Sequence, residues 1–146
     1  MEGPVLGLDL GERRIGLAVS DPAGAIAFPV GALERKGLAA DVAALCELIR
    51  ERGVREVVVG LPLHMDGRAG TGAVAARRFA EALERACELP VAFVDERLTT
   101  VIAERTVREV PRGRGRGARP AKQQIDALAA TLILRTYLEQ PRGGRG

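Results

Sequence analysis

Several residue types are scarce in this chain of 146 residues. Aromatic side chains make up 3%, there is one histidine, His64, and there are two cysteines, Cys46 and Cys87. So few rings exclude an aromatic stacking platform as the main means of recognition. Cys46 and Cys87 both fall in helical patterns with no metal-ligand partner at close spacing. This excludes a zinc cage and predicts small buried hydrophobes in a reducing compartment. No apolar run approaches a membrane span, and the start lacks a basic region followed by an apolar signal core. A cytoplasmic protein without a membrane partner is expected. Glycine and proline, at 18 and 8 residues, stay below the level of a disordered chain.

What is present is ordinary globular composition, 47% hydrophobic and 28% charged, in a length that suits one domain with one core. We expect that domain over residues 1–140, with 141–146 as a basic, disordered tail. The net charge of +3 is unevenly spread. Arg112, Arg114, Arg116, Arg119 and Lys122 lie together with no acid among them, and Arg142 and Arg145 follow in the tail. Without those seven, 15 basic residues face 19 acidic ones, so the body carries −4. An acidic body with one concentrated cationic segment points to a polyanionic partner drawn to one place; a solubilising loop is the simpler alternative.

Residues 4–10 read as a strand, followed by a glycine-bearing hairpin turn at Gly11 and a second strand from Ile15 to Ser20. Asp21-Pro22-Ala23-Gly24 is a turn, and Ala25 to Leu33 a third strand, with Pro29 near an edge or bulge. Leu38, Val42, Leu45 and Ile49 recur at helical spacing, with Gly53 as a C-cap. Arg55 to Gly60 is a β-branched run suited to a buried parallel strand, and Gly60 to Gly67 a loop. Ala75 to Ala86 is an amphipathic helix, Pro90 to Glu96 a strand, Thr100 to Val110 a helix, and a last helix starts near Pro120. Three antiparallel strands followed by alternating helices and strands predict one mixed sheet covered by helices. Gly11 and Gly16 have the spacing of a phosphate-binding loop, but Leu17 stands where its lysine belongs.

Three carboxylates interrupt apolar patterns. Alternation groups Asp9 with Val5 and Gly7, and Glu96 with Val94 and Ala92. On the last helix Asp126 shares a stripe with Ala129, Ala130, Ile133 and Tyr137. An ionised carboxylate in such company is costly unless a cation, a metal or hydrogen-bond donors compensate it. Asp9 paired with Arg13 or Arg14, and Asp126 favoured by a helix dipole, are the plain structural readings. Hard oxygen ligands without a Cys or His cluster suit Mg²⁺ or Mn²⁺. Periodicity alone does not show that the three meet.

The segments GLDLGERRIGLAVSD, VVGLPLHMDG, VDERLTT and IDALAATLILRTYL resemble, in order, the pre-16S rRNA nuclease family. That family is also described as Holliday-junction-resolvase-like and belongs to the RNase H-like superfamily. The resemblance covers almost the whole chain. It implies an α/β, RNase H-like fold with a central mixed five-stranded sheet flanked by helices. It also implies a catalytic and metal-binding triad at Asp9, Glu96 and Asp126, with Asp9 as the shared ligand of one or two divalent ions. Phosphates would be met by Arg13, Arg14, Arg112, Arg114, Arg116, Arg119 and Lys122, with Gly11, Gly60, Pro62 and His64 supporting the site. His64 stands where the family usually has Asn, and Ile102 where it commonly has Glu.

The function so implied is metal-dependent phosphodiester hydrolysis, with 5′-end maturation of precursor 16S rRNA preferred. A Holliday-junction-resolving DNA nuclease is the alternative. It would need a dimer, and no apolar patch in the sequence declares an interface, so a monomer or weak homodimer is expected. An ATP-binding domain like those of actin and sugar kinases shares the strand–turn–strand start, but needs a second such domain to close on the nucleotide. A non-catalytic RNA-binding ribosome-assembly factor would leave the carboxylates without a purpose.

Overall fold

The computed structural model describes residues 3–62, 70–96 and 122–140. In chain order the elements are β1 (Val5–Leu10), β2 (Arg14–Ser20), β3 (Ala27–Glu34), α1 (Leu38–Arg52), β4 (Glu56–Leu61), α2 (Thr71–Cys87), β5 (Val91–Asp95) and α3 (Lys122–Glu139). The strands form one five-stranded sheet in the order β3-β2-β1-β4-β5. β1, β2 and β3 pair antiparallel, whereas β4 runs parallel to both β1 and β5. This is the expected mixed sheet with helices on it. The helix expected at Thr100–Val110, the run from Arg112 to Arg119, His64 and the tail 141–146 lie outside the described residues.

The first hairpin closes where Gly11 donates its N–H to the Arg14 carbonyl at 2.9 Å. β3 starts two residues later than expected, because the Asp21 carboxylate takes the N–H groups of Ala25 and Ile26, both at 2.7 Å, and holds them in the turn. Those hydrogen bonds to the ionised carboxylate also depress the Asp21 pKa. Pro29 sits on the edge strand β3, beside an irregularity in the ladder opposite Leu17 and Ala18. Gly53 ends α1 in the left-handed region at φ 66°, where glycine pays no Cβ clash.

β4 is buried on both faces, with Val57, Val58 and Val59 all fully inaccessible, as a central parallel strand should be. Leu6, Leu8, Leu17, Val57 and Val59 face α1 and α2, meeting Leu45, Ile49, Phe79 and Leu83. Val5, Ala18, Val58 and Val94 face the other way, onto Ala130, Ile133, Leu134 and Tyr137 of α3. No described helix is long and apolar enough to cross a membrane.

Two expectations are corrected. Gly60 is not in a loop: the β4 ladder continues through Gly60↔Val94 and Leu61↔Asp95, so the strand ends one residue later, before Pro62. Cys46 and Cys87 are not free buried thiols but a disulfide that ties α1 to the end of α2, with Cα atoms 5.7 Å apart. Their separation of 41 residues hides the pairing from sequence, because only the side-by-side packing of two helices brings them together.

Candidate active site

Two strands and a helix place the three carboxylates. In the β1–β2 ladder Asp9 stands opposite Gly16, on the face of Val5 and Gly7 that looks towards α3. A Cβ added at Gly7 would lie 2.8 Å from the Leu134 Cβ and 3.1 Å from the Ala130 carbonyl oxygen. A Cβ at Gly16 would strike the backbone of Asp126 itself. These two glycines let α3 lie directly on the sheet backbone, and so bring a helical carboxylate down to the level of a strand carboxylate.

Glu96 directly follows β5, its N–H bonded to the Leu61 carbonyl at 3.1 Å. Its side chain lies over β4: a Cβ at Gly60 would stand 2.7 Å from Oε1 of Glu96 and 2.9 Å from its Cγ. Crossing that gap, the Glu96 carboxyl shares a hydrogen bond with Asp9. Burial pushes Glu96 up to about 8, with the Asp9 hydrogen bond and the charges of Asp9 and Asp95 pushing the same way. Asp9 is also raised, mainly by burial and further by the charge of Asp126, against a hydrogen bond from Glu96 that favours its ionised form. One proton therefore serves the pair, with Glu96 donating to Asp9.

Asp126 is in the second turn of α3, clear of the first turn where a helix dipole acts, so the dipole reading does not account for it. Its Oδ2 accepts a hydrogen bond from Nε of Arg14 at 2.6 Å. Among the described residues no three of His, Cys, Asp and Glu are closed around a ready metal cage. What stands there is a pair of touching carboxyls, with a third close enough to act on Asp9 and held on a guanidinium. Touching oxygen donors that share a proton fit a hard divalent ion in kind, since such an ion replaces the proton.

The remaining expected site residues divide. Gly11 opens the hairpin beside Asp9, and Pro62 directly follows β4. Arg13 is exposed in the same hairpin, its carbonyl accepting the Arg35 N–H at 2.8 Å. Lys122 is the first residue of α3. Arg112, Arg114, Arg116, Arg119 and His64 fall outside the described residues. Sequence reasoning missed the Arg14–Asp126 pairing and the glycine seats at Gly7 and Gly16. A glycine two positions before Asp9 on the same strand face was the available signal. It also missed Asp41, which is buried at the start of α1 and satisfied by the Lys36 N–H at 2.9 Å and the Arg35 guanidinium.

Residues 3–140 match the family described as RuvX: Holliday junction resolvase. The chain belongs to this family. RuvX relatives named pre-16S rRNA nuclease include one from Moorella thermoacetica, 48% identical over 136 residues, covering 93% of this chain and 94% of the relative. Another, from Chloroflexus aggregans, is 46% identical over 143 residues, covering 97% and 96%. This RuvX chain is thus a nuclease by family, a phosphodiester hydrolase. In fold it is similar to Thermus thermophilus RuvC in complex with a Holliday junction substrate, with a TM-score of 0.56, 18% identity and coverage of 90% and 91%. A Streptococcus pneumoniae ROK family protein in complex with sucrose shares the fold at a TM-score of 0.50 and 18% identity. The chain spans 37% of that protein.

Proposed function

We propose that Asp9, Glu96 and Asp126 are the catalytic carboxylates of a divalent-metal-dependent nuclease that matures the 5′ end of precursor 16S rRNA in the cytoplasm. The single observation that carries the site is the Asp9–Glu96 carboxyl pair seated over Gly60, with the charge of Asp126 acting on Asp9. Three carboxylates from β1, the end of β5 and α3 are a poor device for stability, because like charges in a partly buried place oppose one another. They are a good device for a hard cation. Mg²⁺ or Mn²⁺ held there would supply an activated water and relief of charge at the leaving oxygen.

The chain's own residues do the rest. Asp9 and Glu96 would hold the ion in place of the proton they share, and Asp126 would be the third carboxylate to reach it. Seated on packed elements, the carboxylates keep the sub-ångström tolerances that such chemistry needs. Arg13 at the hairpin, Lys122 at the start of α3, and Arg112, Arg114, Arg116 and Arg119 before it would neutralise backbone phosphates, which sets affinity and register rather than base reading. The names of the relatives favour RNA as substrate. The family description favours branched DNA as the second reading.

The test is cleavage of labelled precursor 16S rRNA and of a four-way DNA junction by the full chain, with Mg²⁺, Mn²⁺ or EDTA. The proposal expects rRNA cut near the mature 5′ end, dependent on metal and lost in Glu96→Gln. Resolution of the junction with rRNA left whole would move the substrate to DNA. Equal cutting in EDTA would remove the metal.

A further inference from the structure

The ion pair between Arg14 and Asp126 joins the first residue of β2 to the second turn of α3, across 112 residues of chain, at 2.6 Å. Both side chains are about one quarter exposed (25% each), so the pair lies at the mouth of the site rather than in the core. The backbone of Asp126 rests on Gly16, and Gly16 is the ladder partner of Asp9. The carboxylate is therefore one strand away from Asp9, and its charge is felt there. Yet one of its two oxygens is bonded to a guanidinium, while Asp9 and Glu96 bond to each other.

We propose that Arg14 is a positioning residue: it holds Asp126 beside the acidic pair as a built-in counter-ion, yields that carboxylate to a divalent cation held by Asp9 and Glu96, and then turns its freed guanidinium to a backbone phosphate of the substrate. The proposal rests on the metal-dependent reading above. Two physical arguments carry it. At equal distance a divalent ion attracts a carboxylate twice as strongly as a guanidinium does, so it wins the contest for an oxygen within reach of both. Without Arg14, a third carboxylate beside two others would have no cation of its own among the described residues of the metal-free protein, and like-charge repulsion would turn it away. The guanidinium released by the exchange is left with a planar fork of donors, which matches the oxygens of a phosphate. Metal and strand would thus be linked: filling the acidic site presents a phosphate-binding arginine at its edge.

The sign of this linkage sets it apart from a merely structural ion pair. Mn²⁺ binding to the full chain is measured by titration calorimetry for the wild type, Arg14→Gln and Arg14→Lys, with circular dichroism as the check on folding. Arg14→Gln removes the competitor for Asp126 and is expected to bind Mn²⁺ roughly threefold to fivefold more tightly, the scale of a part-exposed ion pair. The same variant is expected to raise the KM for RNA with little change in kcat. Arg14→Lys, which keeps the charge but not the fork, should shift Mn²⁺ affinity in the same direction by less and recover part of the KM. It also supplies the measurement if the Gln variant does not fold. A structural pair would instead lower the melting temperature and leave Mn²⁺ affinity unchanged or weaker, and that result in a folded variant overturns the proposal alone. A wild-type chain that binds no Mn²⁺ overturns the proposal together with the metal reading it rests on.

Discussion

The carboxyl of Glu96 lies across Gly60, where a Cβ would stand 2.7 Å from Oε1 of Glu96 and 2.5 Å from Cδ1 of Ile133. Both atoms are ends of flexible side chains, so the fold can absorb a methyl group there and the site cannot. Gly60→Ala is expected to lose about 1 kcal/mol of stability, at the low end of overpacking. Cleavage should fall far more than stability, because Glu96 is pushed off its contact with Asp9. Denaturant unfolding and single-turnover cleavage on the same preparation separate the two effects. Normal cleavage in Gly60→Ala would mean that Glu96 does not act from this position.

Ala130 tests the other side of the site. It is fully buried, with its carbonyl 3.1 Å from where a Cβ on Gly7 would be. Ala130→Leu should lift α3 from β1, costing about 1–3 kcal/mol, and move Asp126 without altering any carboxylate. Turnover should fall while RNA binding, measured by filter retention, stays within a few-fold of the wild type. Normal turnover in the folded variant would show that the seating of α3 does not place a catalytic group.

The shared proton makes a prediction for stability against pH. Glu96 is raised from 4.5 to about 8 by the fold, and Asp9 is raised as well. Between the unfolded and folded values the native state therefore binds more protons than the unfolded chain, so stability falls as pH rises. The metal-free protein should melt progressively lower from pH 5 towards pH 8, the window that the Glu96 shift defines. Glu96→Gln should flatten this slope, and a divalent ion should cancel it by standing in for the proton. Thermal melts in EDTA and in Mn²⁺ across that range provide the check; a rising profile in EDTA would contradict the shared proton.

Cys46 and Cys87 close 41 residues of chain. Loop-closure reasoning gives the cross-link roughly 2–4 kcal/mol, through the unfolded state. The oxidised protein should show no titratable thiol when native, and reduction should lower its melting temperature without changing cleavage rate at 25 °C, since the bond joins α1 to α2 away from the carboxylates. Two free thiols in the freshly purified, unreduced protein would contradict it.

How much of this could be read from the residues depends on what each residue encodes locally. Strand alternation placed Asp9 with Val5 and Gly7, and helical spacing placed Asp126 with Ala130, Ile133 and Tyr137, and both groupings face each other in the fold. The order of the motifs gave the mixed sheet, because three antiparallel strands followed by crossovers leave few topologies. The bonding of Asp126 to Arg14 was out of reach, since those residues are 112 apart and a charge has many candidate partners. The disulfide was hidden for the same reason: helix periodicity fixes the face of each cysteine, not the neighbour of that face. The expected strand stopped at Gly60, one residue short of Leu61, and nothing local shows that the small size of Gly60 is what lets Glu96 lie over the strand.

Asp9 is the residue on which the account turns, as it touches Glu96 and feels Asp126. Asp9→Asn keeps its volume and removes its charge, so the sheet should survive, with stability equal to or above that of the wild type without metal. The decisive measurement is single-turnover cleavage of precursor 16S rRNA in Mg²⁺ by Asp9→Asn, alongside its circular dichroism and its RNA affinity. We predict a native spectrum, affinity within a few-fold of wild type, and cleavage reduced by at least about a thousandfold. A folded Asp9→Asn that cleaves at the wild-type rate would contradict the account.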